Sequence, residues 1–122
     1  DESVCIHQPK PEHTAIPGIV YGGLIASLID CHGTATASAA KYRSEGREMD
    51  TEPPLRFLTA SLKVDYLLPT PIGVPLEIRG RAKEIKGRKV IVESTLSAGG
   101  KVCARGEVIA VQMPEHLIPE SS

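Results

Sequence analysis

Between Gly22 and Ala40 one residue carries a formal charge, Asp30, apart from the titratable His32. Its neighbours at helical spacing are small, namely Ala26, Ser27, Thr34 and Ala37. Covering a carboxylate with such residues is costly unless the group is paired or used. Partial desolvation on a helix would tune it for general-base or nucleophilic work. The same position also suits a structural hydrogen-bonding carboxylate. A second feature lies upstream, in Pro17-Gly18-Ile19-Val20-Tyr21-Gly22-Gly23. The first turn of a helix exposes unpaired N–H groups at its positive dipole end, and Gly22 and Gly23 let a ligand approach that backbone closely. Such a turn suits a carbonyl oxygen that becomes an oxyanion. Gly22 and Asp30 are separated by roughly 12 Å at about 1.5 Å per residue, too far to serve one carbon together. If both act, each comes from a different subunit.

The elements that must hold these groups follow from periodicity. Residues 1–20 read as loop, with Pro9, Pro11, Pro17 and Gly18, apart from a short strand at Ser3–Gln8. Gly22 to about Arg43 reads as one long helix. Leu24, Ile25, Leu28, Ile29, Ala35 and Ala39 form the stripe predicted to lie on a sheet. The opposite face, Ala26, Ser27, Asp30, Thr34 and Ala37, has neither Lys nor Glu. That predicts a second cover, most simply another copy of the chain in a twofold dimer. After a turn-rich stretch, four strands are predicted at Phe57–Tyr66, Leu76–Ile85, Arg88–Ser97 and Lys101–Gln112. In the first, Leu58, Ala60, Leu62, Val64 and Tyr66 are expected on one side, and Thr59, Ser61, Lys63 and Asp65 on the other. The architecture is α+β, an antiparallel sheet packed on a single helix.

Composition narrows the function classes. The 122 residues suffice for a single domain, 1–122. A net charge of −1 and a scarcity of aromatics give no case for nucleic acid or an anionic membrane. Cys5, Cys31 and Cys103 form no metal or disulfide pattern, which suits a reducing cytoplasmic compartment. His7, His13 and His116 are scattered and make no metal set. No transmembrane run or signal peptide is read, and no cofactor is implied.

The segment PGIVYGGLIASLIDCHGTA, Pro17 to Ala35, followed by TASLKVDYLLPTPIG, Thr59 to Gly73, resembles the hot-dog-fold acyl-CoA thioesterases of the phenylacetate-pathway type. The resemblance covers most of the chain. It implies a long central helix wrapped by an antiparallel sheet, paired as a homodimer or as a homotetramer of two dimers, with acyl-CoA as substrate. It further implies that the Gly22 amide polarises the thioester carbonyl, that Asp30 acts as general base or nucleophile, and that Thr59 positions the water. Tyr21 stands where the family carries His, Ala15 stands where some members carry Asn, and the first strand that many members carry is short or missing from this sequence. Tyr21 and Gly23 are then candidate substrate contacts. A CoA thiol ionises near about 8.5, so it leaves without a strong acid, and one base with one oxyanion site suffices.

Arg79, Arg81 and Lys83 share a strand face, and Lys86, Arg88 and Lys89 surround the next turn, against Glu84 alone. Lys83, Arg88 and Lys89 are candidates to seat the CoA phosphates, the alternative being a solvated sheet face. His32 falls within the predicted apolar stripe as a core histidine. Cys31 is predicted to point toward the sheet and lacks an evident base. The rival functions are a non-hydrolytic acyl-CoA or acyl-carrier binding module, and a hydratase. The latter is disfavoured because Asp30 and His32 lie on different helix faces.

Overall fold

The computed structural model describes residues 2–10, 14–16, 18–20, 22–49, 51, 54–114 and 116. The elements run β1 (Ser3–His7), β2 (Thr14–Ile16), β3 (Ile19–Val20), α1 (Gly22–Ser44), β4 (Phe57–Tyr66), β5 (Leu76–Lys86), β6 (Lys89–Ala98) and β7 (Lys101–Gln112). The helix and the four long strands fall where periodicity places them, within a residue or two at each end. The β2–β3 pair lies in a segment read as loop. Two or three residues are too few to show an alternation.

Five strands form one antiparallel sheet in the order β1-β5-β6-β7-β4. The β5-β6-β7 meander is set by local chemistry. Gly99 and Gly100 both have positive φ, 58° and 80°, as a tight hairpin turn between twisted strands requires. Along β6, Val90, Val92, Ser94, Leu96 and Ala98 are buried in strict alternation, the mark of a strand with one face on a core. The helix lies across that face and touches β4, β5, β6 and β7. Ile25, Ile29 and Ala37 meet Ile78, Val92, Leu96, Ala104, Val108 and Ala110 in a single core. One helix wrapped by one sheet is the α+β hot-dog layer that the resemblance implies.

The helix is rotated from its expected setting. Its buried residues are Leu24, Ile25, Ile29, Gly33, Thr36, Ala37 and Tyr42. Ala35, expected on the sheet, is exposed, whereas Ala37, expected opposite, is fully buried. Gly33 accounts for the difference. A Cβ there would stand 2.6 Å from Val108 Cγ2, and one on Gly106 would stand 2.4 Å from Ile29 Cγ2. Two glycines, one on each layer, let the backbones approach, so the closest contact centres on residues without side chains. A wheel weighted by hydrophobicity undervalues them. Cys31 is consequently exposed rather than turned toward the sheet. The outward line becomes Gly23, Ser27, Cys31 and Ala35.

Candidate active site

Asp30 is half-buried at the margin of the helix–sheet contact, and Thr59 Oγ1 donates a hydrogen bond to its Oδ1. No other protein group is bonded to this carboxylate among the described residues. Thr59 reaches it because β4 is not regular. The register against β7 shifts between Thr59 and Ser61, so Thr59 pairs with Ala110 and Leu62 with Val108. Ala110 and Val108 are both buried on the helix side, and side chains of facing residues share a sheet face. Thr59 thus joins Leu62, Val64 and Tyr66 on the inner face, and Leu58 turns outward. The regular alternation expected for this strand is corrected by a one-residue bulge. Such bulges re-aim a side chain and gather next to active sites.

The start of the helix is held by the other end of the same strand. Tyr66 Oη donates to the Gly22 carbonyl oxygen at 2.9 Å. Beside Gly22 lies a cleft of about 270 Å³ lined by Ile19, Val20, Ile25, Tyr66, Leu67 and Leu68. Its lining is mainly apolar, which suits an acyl chain more than a nucleotide. Gly23 is exposed one residue further on. Tyr21 lies outside the described residues. Within one chain, β4 therefore carries a partner for each candidate group, Thr59 for Asp30 and Tyr66 for Gly22.

The basic candidates are not drawn into this site. Lys83 lies on the outer sheet face, 3.8 Å from Glu93 and 3.9 Å from Glu107. Arg88 and Lys89 sit at the β5–β6 turn, where Lys41 Nζ donates to the Gly87 carbonyl at 3.0 Å. That is the far end of the helix from Gly22. The basic excess in this stretch of sequence is balanced across the sheet by acids of β6 and β7. A hollow on this face, about 390 Å³, is lined by Arg79, Arg81, Lys83, Glu93, Arg105 and Glu107, charges of both signs. At its border Arg79 bonds Glu77 and, at 2.8 Å, Glu2. Glu77 first and Glu2 second raise the pKa of its guanidinium, which keeps it charged at any ordinary pH.

His32 is half-buried and hydrogen-bonded. Its Nε2 lies 2.9 Å from Ser3 Oγ, which in turn is 2.6 Å from Thr36 Oγ1. Ser3 belongs to β1 and Thr59 to β4, the two opposite edges of the sheet. His32 and Asp30 therefore face away from each other, and no substrate can meet both from one chain. Sequence reasoning missed Tyr66. Its one readable signal was an aromatic placed on the apolar register of the strand.

A family model described as the thioesterase superfamily matches residues 17–104. A solved thioesterase superfamily protein from Shewanella loihica PV-4 is 55% identical, with a TM-score of 0.77 over 93% of this chain and 84% of that one. The acyl-coenzyme A thioesterase THEM4 of Xenopus laevis is 37% identical over 87 residues, 71% of this chain and 33% of THEM4. The chain thus spans about a third of the length of the THEM4 relatives it matches. A phenylacetic acid degradation-related protein from Ralstonia eutropha JMP134 is 19% identical with a TM-score of 0.76, over 90% of this chain and 75% of that one, a likeness of fold. A match over residues 17–104, joined to a 55% identical relative with the same layers, leads to one conclusion: the chain belongs to the thioesterase superfamily.

Proposed function

We propose that the protein hydrolyses acyl-CoA thioesters to the free acid and CoA, at a site completed by two copies of the chain. The observation that carries this reading is the Thr59–Asp30 hydrogen bond on the bulged edge strand. Thr59 holds one carboxylate oxygen and leaves the other for a water. Asp30 takes a proton from that water as its oxygen attacks the thioester carbon. The oxyanion so formed accepts from the first-turn amide of Gly22. When the carbon–sulfur bond breaks, the CoA thiolate leaves and receives the proton from Asp30, which restores the carboxylate. The acyl chain lies in the apolar cleft beside Gly22 and Gly23, with Tyr21 as a further contact.

The edge of the sheet supports a second copy. β4 is the outermost strand, ten residues long, and its free side presents backbone groups to any matching strand. Leu62 and Tyr66, on the inner face, remain 39% and 54% exposed. Antiparallel pairing of two β4 strands about a twofold axis near Leu62 and Lys63 would cover both. It would also set the Thr59 end of one copy beside the Tyr66 end of the other, bringing Asp30 of one chain near Gly22 of its mate. A dimer of such dimers is compatible with the charged outer face. Three free cysteines, two of them exposed, support a reducing, cytoplasmic setting.

Thiol release from short, long and aryl acyl-CoAs by wild type and Asp30→Asn tests the reading. A loss of about two or more orders of magnitude in a folded Asp30→Asn dimer is expected. A background rate for the wild type with acyl-CoA still bound would leave the non-hydrolytic binding module, the reading favoured by Tyr21 in place of the family's His. Arg88 and Lys89 remain the proposed seat for the CoA phosphates, being exposed and free of the Glu93–Glu107 network that engages Lys83. Replacing both with Ala should raise the apparent KM. An unchanged KM removes the seat.

A further inference from the structure

Tyr66 touches the helix start in two ways. Its hydroxyl donates to the Gly22 carbonyl oxygen at 2.9 Å. A Cβ built on Gly22 would stand 3.3 Å from both Cζ and Oη of the same ring and 3.4 Å from Cε1. The ring therefore rests where any larger residue at position 22 would press on it. Core burial does not explain this placement, since Tyr66 is half-exposed at the edge of the sheet.

The Gly22-Gly23 pair has the widest backbone freedom of any dipeptide. An oxyanion donor, by contrast, stabilises developing charge only if it is oriented in advance. The Gly22 carbonyl shares a rigid peptide plane with the Gly23 N–H and a Cα with the Gly22 N–H, so a bond to that carbonyl holds in place the turn that carries both amides. We propose that Tyr66 is a positioning residue for the thioester carbonyl, its hydroxyl orienting the Gly22 turn while its ring walls the acyl cleft. This rests on the thioesterase reading above. It makes β4 the strand that aligns both halves of the site, through Thr59 at one end and Tyr66 at the other.

The test uses the full chain, wild type and Tyr66→Phe, and two non-hydrolysable probes with the same alkyl chain. One is a ketone in which a methylene replaces the thioester sulfur of acyl-CoA. The other is an alkyl-CoA thioether, which has no carbonyl. Titration calorimetry should find the ketone bound about 3- to 10-fold more weakly by Tyr66→Phe, the worth of a single hydrogen bond, with the thioether unchanged. In turnover the same variant should lose kcat more than it raises KM. Equal weakening of both probes would make Tyr66 a packing residue and overturn the proposal, as would no weakening of either. A wild type that binds both probes but hydrolyses no acyl-CoA would sink the hydrolytic reading, while the difference between probes would still judge Tyr66. A wild type that binds neither probe overturns both.

Discussion

At the scale of single residues, the proposed chemistry rests on the Asp30–Thr59 pair. A hydrogen bond to a charged group is worth about 1.5–3 kcal/mol, and less to stability where solvent can replace the donor. Thr59→Val keeps the shape and removes the hydroxyl. It should lower kcat by about tenfold or more, because the carboxylate loses its orientation, and leave the melting temperature nearly unchanged since Thr59 is exposed. Unaltered turnover would reduce Thr59 to a bystander. Arg79 offers a contrast. Its raised pKa means that the contribution of the Glu77 and Glu2 contacts is present below the ordinary arginine range and lost only above it. No change in stability from this group is expected across neutral pH, and its solvent-exposed ion pairs are screened.

At the scale of elements, the governing contact is helix on sheet through Gly33 and Gly106. Gly33→Ala improves helix propensity by about 1 kcal/mol, yet the new Cβ meets Val108 at 2.6 Å. Overpacking of this kind costs about 1–3 kcal/mol. The steric term should win, lowering the midpoint of denaturant unfolding. A raised midpoint would mean that the layers separate more easily than the packing implies. Tyr42 closes the other end of the helix. It is fully buried, accepts from the Leu55 amide at 2.9 Å, and has Arg47 over its ring at 4.8 Å from the centroid. The chain is thereby led back toward β4, on whose bulge Thr59 depends.

At the scale of the whole molecule, the proposed pairing of two copies rests on the edge position of β4. Leu62→Glu places a charge on the inner face at a position already 39% exposed in the single chain, so the fold itself should tolerate it. Across a twofold β4 pair the same charge would be desolvated and repelled by its symmetry mate. Sedimentation should find monomer at micromolar concentration, and thiol release should fall with it, because Gly22 and Asp30 of one chain are roughly 12 Å apart. A monomeric variant with full activity would place the site within one chain. Among the described residues no helix is long and apolar enough to cross a membrane.

Much of this was legible in the sequence. The long helix, the four long strands, the lone Asp30 and the glycine turn follow from periodicity, charge and composition, all of which act within a few neighbouring residues. The tertiary structure alone decided how those elements face one another. Gly33 and Gly106 rotated the helix, because close approach depends on side chains that are absent from both layers. The bulge at Ala60 turned Thr59 toward Asp30, because register is set by the partner strand and not by the alternation of β4 itself. The acids of β6 and β7 balanced the basic run of β5, because neighbours in a sheet lie far apart in sequence. Tyr66 met Gly22 for the same reason: the two are 44 residues apart along the chain and joined by one hydrogen bond in space.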